Sequence, residues 1–94
     1  MLKRRDVKDS DQVKVSFALP EDHPHAGDAY VAGSFNEWNP KADHLIRRNN
    51  QTYSAVVTVD KDERYAYRYV SGDGKWFNVG DADAYEDQNG IVVT

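Results

Sequence analysis

Arg64-Tyr65-Ala66-Tyr67-Arg68-Tyr69-Val70 is the stretch on which the reading of this chain turns. In an extended strand successive side chains point to opposite faces, so Tyr65, Tyr67 and Tyr69 share one face while Ala66, Arg68 and Val70 share the other. Burying Arg68 without a partner costs far more than burying tyrosines whose hydroxyls find one. The tyrosine stripe is therefore the core face, with hydroxyls reaching its rim, and Arg68 faces outward. Ser71-Gly72-Asp73-Gly74 then makes a tight turn into Lys75-Trp76-Phe77.

The same period of two recurs on either side. Val13, Val15, Phe17 and Leu19 alternate with Lys14, Ser16 and Ala18, and Tyr53, Ala55, Val57 and Val59 alternate with Ser54, Val56 and Thr58. Tyr30-Val31-Ala32 is a short apolar run ending at Gly33, and Ile91 to Val93 supply a closing strand. Turn residues fall at 20–27, 36–40, 48–51, 60–63 and 71–74, about every ten residues, and no segment has a helical period. This pattern predicts an all-β, immunoglobulin-like antiparallel β-sandwich, without the cysteine and tryptophan spacing of antibody domains. Residues 1–11 read as a flexible N-terminal tail and 12–94 as a single domain.

Ninety-four residues suffice for one domain with a modest core, and eleven aromatics are more than a disordered chain carries. With no cysteine there is no disulfide framework and no thiolate metal site. The apolar runs are far shorter than a membrane helix requires, and the basic start has no apolar segment behind it, so no signal peptide is read. A cytoplasmic location is the expectation, and the Met1 start fits a complete chain. Asn50-Gln51-Thr52 matches a glycosylation sequon but is read as a loop. Twelve bases balance twelve acids over residues 1–79, and Asp81, Asp83, Glu86 and Asp87 supply the whole net charge of −4. Without a basic excess nucleic acid is a poor partner, and a neutral ligand fits better.

The parts for catalysis are scarce. His23 and His25 flank Pro24 in a polar loop without an evident third metal ligand, and His44 stands apart. The acidic run 81–90 lacks the glycine and glutamate positions of a calcium loop. A small sandwich without long loops offers no cleft to raise a carboxylate pKa for glycoside hydrolysis. Gly72, Gly74 and Gly80 serve turns rather than a phosphate loop, which would lie between a strand and a helix. The expectation is a chain that is not an enzyme and uses no cofactor or metal.

Both tryptophans lie in turn-rich segments, Gly33-Ser34-Phe35-Asn36-Glu37-Trp38-Asn39-Pro40 and Ser71-Gly72-Asp73-Gly74-Lys75-Trp76. Such an indole is either a lid over the end of the core or a binding platform. A pyranose ring has an apolar C–H face and a rim of hydroxyls, so flat aromatics take the face while amides and a guanidinium take the rim. Trp38, Trp76, Arg68, Lys75 and Asn89 supply those parts.

At these residues the chain resembles the glycogen- and starch-binding modules of the early-set type, found at the N-termini of isoamylases and branching enzymes and in the β-subunit of AMP-activated protein kinase. The resemblance rests on Tyr30-Val31-Ala32-Gly33-Ser34-Phe35-Asn36-Glu37-Trp38-Asn39-Pro40, Tyr67-Arg68-Tyr69-Val70, Asp73-Gly74-Lys75-Trp76, Asp81-Ala82-Asp83-Ala84-Tyr85 and Asn89-Gly90-Ile91-Val92-Val93, in the family's order over roughly residues 12–94. The chain also resembles small bacterial proteins that consist of this domain alone. The resemblance implies that Trp38 and Trp76 hold an α-1,4-linked glucan, that Arg68 stands where the kinase module has a sugar-binding lysine, that Asn89 bonds sugar hydroxyls, and that Tyr85 occupies the place of an apolar residue entering the curved glucan. Asp87 replaces the family's threonine, and Gln88-Asn89-Gly90 departs from its commoner asparagine pair. Phe35 reads as core, Asn36 as a turn residue and Lys75 as either solvated or sugar-bound.

The expected function is non-catalytic binding of glycogen, starch or maltooligosaccharides, with a glycogen-metabolising enzyme or kinase as the class of protein partner, and neither nucleic acid nor membrane. The alternative is a protein-docking or structural early-set domain that presents an edge strand or its packed face.

Overall fold

The computed structural model describes residues 2–94. Ten strands follow in order: β1 (Leu2–Asp6), β2 (Gln12–Pro20), β3 (Ala29–Gly33), β4 (Asp43–His44), β5 (Ile46–Arg47), β6 (Thr52–Asp60), β7 (Arg64–Ser71), β8 (Trp76–Phe77), β9 (Ala84–Glu86) and β10 (Asn89–Val93), with one 3₁₀ turn at Ala26–Asp28. They form two antiparallel sheets, one ordered β1-β2-β6-β5, the other β4-β3-β7-β10-β9 with β8 also on β7. This is the immunoglobulin-like antiparallel sandwich the alternation predicts. No helix among the described residues is long and apolar enough to cross a membrane.

The predicted strand faces pack as read. Val13, Val15, Phe17 and Leu19 from β2 meet Val31, Tyr67, Tyr69 and Val92 from the other sheet in one core cluster. The Phe17 ring centres an aromatic group, 4.8 Å from Tyr67 and 5.4 Å from a stacked Phe35, so Phe35 is core rather than ligand surface. Tyr67 and Tyr69 donate their hydroxyls to the two oxygens of Asp81, at 2.7 and 2.9 Å. Burial first, and then that shared carboxylate, push both phenols far above the ordinary tyrosine range. Asp81 thereby ties the loop before β9 to the sheet.

The tail expected over residues 1–11 is instead an edge strand over Leu2–Asp6, paired along its length with β2 from Leu2↔Phe17 to Asp6↔Val13. Its sequence shows no apolar alternation because its inward positions are Leu2, Arg4 and Asp6. Only Leu2 packs on the core. Arg4 turns across the open edge of the sandwich, where its Nε donates to the Val93 carbonyl at 2.8 Å and its guanidinium pairs with Asp83 in the other sheet. Charged edge strands also resist pairing with other chains. The two-residue strands β4 and β5, and β9, carry no periodic signal and are made by their neighbours.

Candidate functional site

The outer face of the β3–β7 sheet is set by register. Opposed residues in antiparallel pairs share a face, so Ala32 lies beside Arg68, and Tyr30 and Trp76 flank Val70 on either side. The β7–β10 pairing, continued one residue past Gly90↔Tyr67, sets Asn89 beside Arg68 on that same face. Ala32, Val70 and Ile91 are buried yet stand outside the core cluster, because larger side chains on this outer face cover them.

Trp38 reaches this face through a turn built by its own sequence. The Gly33 carbonyl accepts from the backbone N–H of Asn36 at 3.1 Å and of Trp38 at 2.9 Å, closing the chain back on the end of β3. Glu37 and Trp38 both adopt left-handed backbone, with φ of 60° and 58°, an arrangement costly for side chains with a Cβ. Asn36 holds it: its Oδ1 accepts from the Gly33 N–H, and its Nδ2 donates to the Val31 carbonyl and to Asp43. Asn36 is thus the turn residue read from the sequence. Trp76 enters from the β7–β8 hairpin, where the Ser71 N–H donates to the Lys75 carbonyl at 2.9 Å, the Lys75 N–H donates to the Ser71 Oγ at 3.3 Å and Gly74 takes a φ of 88°.

The two indoles meet with ring centroids 6.4 Å apart and planes tilted by 49°. Trp76 is 39% exposed, and Trp38 is half-buried. The Arg68 row lies between the Gly33 end, from which the Trp38 turn springs, and the Val70 row that carries Trp76. Arg68 is half-buried, and its Nε is buried without a hydrogen-bond partner. A second aromatic pair lies on the same face: Tyr30 stacks on His44, 4.5 Å apart at 23°, from the adjoining strands β3 and β4. The sequence marks Tyr30 only as a strand residue, and nothing in it links His44 to Tyr30.

Trp38, Trp76, Arg68 and Asn89 therefore share one face. Lys75 and Tyr85 stand apart. Lys75 projects from the hairpin turn, exposed, with its ammonium 4.0 Å from Asp73. Tyr85 pairs with Gly90, itself opposite Tyr67, and so has the parity of the core face. It is 47% exposed at the sheet edge, and its hydroxyl accepts from the Ala82 N–H at 3.4 Å. His23 and His25 stand against Phe77, with ring centroids 5.3 and 5.1 Å away. Among the described residues no three acids or histidines cluster to hold a metal.

Residues 9–85 match the family described as carbohydrate-binding module 48 (isoamylase N-terminal domain). That span contains Trp38, Arg68, Lys75, Trp76 and Tyr85 and stops before Asn89. The chain is also 31% identical over 64 residues to an amylopullulanase of Thermoanaerobacter thermohydrosulfuricus, a match covering 64% of this chain and 4% of that protein. The chain thus spans a small part of the length of this curated relative.

Proposed function

Since the chain belongs to the carbohydrate-binding module 48 family, a family of non-catalytic binding modules, we propose that its outer face binds α-1,4-linked glucans. The tilt of the tryptophan pair carries this reading. A flat β-linked ribbon suits coplanar rings, whereas an α-1,4-linked chain curves, and successive glucose rings present their C–H faces at an angle such as the 49° between Trp38 and Trp76. Arg68 and Asn89, in the row beside the indoles, supply donors for the hydroxyl rim. Arg68 is half-buried with its Nε buried, and its guanidinium is a planar fork of donors suited to a row of hydroxyls. Tyr30 and His44 extend the aromatic surface along the same row for a longer chain. The amylopullulanase relative agrees with an α-glucan ligand. A glycogen-metabolising enzyme or kinase is the class of protein such a module would bring to its polymer.

An open face gives weak binding to short sugars that strengthens with chain length. Trp76→Ala is expected to abolish retention on immobilised amylose while leaving the far-ultraviolet spectrum unchanged, because Trp76 is the more exposed indole. Titration of the indole N–H signals should show a saturable response to maltoheptaose and none to cellohexaose. Unchanged retention of the variant would overturn the reading in favour of a docking face.

A further inference from the structure

The outer face of the other sheet has a charge pattern that folding alone does not explain. Pairing of β1 with β2 sets Arg5 directly opposite Lys14, and Lys3 opposite Ser16 on the same face. Like charges placed directly across a sheet repel and destabilise it. Several cations elsewhere are matched: Arg4 by Asp83, Arg47 by Glu21, Lys61 by Asp6 and Arg64 by Glu86. Lys3, Arg5 and Lys14 pair with no carboxylate among the described residues. The acid of this face is Asp60, opposite Gln12 in the next row.

These cations line a groove of about 630 Å³ formed by Lys3, Arg4, Arg5, Lys14, Ser16 and Val56, with no acidic side chain in its wall. Val56 is 47% exposed there. The groove adjoins a hollow of about 180 Å³ that shares Lys3 and Ser16 and adds the polar groups of Asn50, Thr52 and Ser54. One end is thus cationic and the other is lined with hydroxyls and an amide.

We infer that this face binds a sugar phosphate, its phosphate among Lys3, Arg5 and Lys14 and its hydroxyl-bearing ring over Ser16 toward Asn50 and Thr52. A phosphate monoester carries close to two negative charges at neutral pH and offers three acceptor oxygens, enough to answer three converging cations from two strands. The site lies on the opposite sheet from the tryptophans and does not depend on their role.

The test is a titration of the full chain's backbone amide NMR signals with glucose 6-phosphate at low ionic strength, with inorganic phosphate and glucose alongside. Saturable shifts at Lys3, Arg5, Lys14, Ser16 and Thr52 are expected with glucose 6-phosphate, weakening as salt is added, and none with glucose. Lys3→Gln and Lys14→Gln should each weaken binding about threefold, the scale of one exposed charge pair. Lys14→Gln should keep or raise the melting temperature, since it removes the opposed cation, so lost binding is not lost folding. Unsaturable or scattered shifts, or equal binding in Lys14→Gln, would overturn the site. Inorganic phosphate binding as tightly as the ester would overturn the assignment of a sugar.

Discussion

Gly33 sits where the backbone has no room for a side chain: a Cβ there would lie 2.4 Å from the Ala66 carbonyl oxygen and 2.6 Å from the Phe35 ring. The Ala66 carbonyl is held in place by the Ser34 N–H at 2.9 Å, so neither neighbour can give cheaply. Gly33→Ala should lower stability by about 3 kcal/mol, the upper range for overpacking a filled core, as read from denaturant midpoints. Asn36 acts on the same turn through polar contacts. Asn36→Ala strands the Gly33 N–H and releases Asp43, for an expected loss of about 2 kcal/mol. It should also weaken maltoheptaose binding, because the left-handed Glu37–Trp38 backbone loses its restraint. Equal affinity in the variant would show that the Trp38 turn holds itself.

Strand β1 shows how an element without a periodic signal is fixed by contacts at both ends of the chain. Arg4 joins the edge of one sheet to Asp83 and Val93 of the other. The Asp83 carboxyl is held below its ordinary value of 3.8, chiefly by the hydrogen bond from the Arg4 guanidinium, which desolvation opposes and the Val93 N–H reinforces to a lesser degree. A lowered carboxylate pKa contributes stability that is fully present above 3.8 and is lost as pH falls through the folded value. Arg4→Gln should therefore be less stable than the parent near neutrality, by at most about 1 kcal/mol for so exposed a pair. The two proteins should converge in urea midpoint as the medium becomes strongly acidic. A constant gap across that range would assign the effect to packing of the arginine stem.

At the scale of the whole molecule, two phenols from the central strand β7 tie the core to the loop before β9 through Asp81. Tyr67 and Tyr69 are pushed far above the ordinary value of 10.0, by burial first and then by Asp81. Raised acids contribute stability that is present below about pH 10 and is lost as pH rises beyond it, because the unfolded chain ionises where the folded one does not. In a phenolate absorbance titration Tyr67 and Tyr69 should ionise only when the far-ultraviolet signal collapses. Six phenolates in a chain still folded would remove Asp81 as their anchor.

The sequence alone determined the sandwich, because alternation along β2, β6 and β7 leaves only one way to bury an apolar face in each. It also marked Trp38, Trp76, Arg68 and Asn89, since their residue types suit a sugar and their spacing resembles a known family. Tertiary structure decided what no local pattern encodes. Register placed Arg68 and Asn89 together and gave Tyr85 the opposite parity, while a positive-φ turn swung Trp38 toward Trp76. The charged β1, Asp81 beneath two tyrosines, and Lys14 facing Arg5 all depend on partners distant in sequence, and such partners are chosen only when the sheets close.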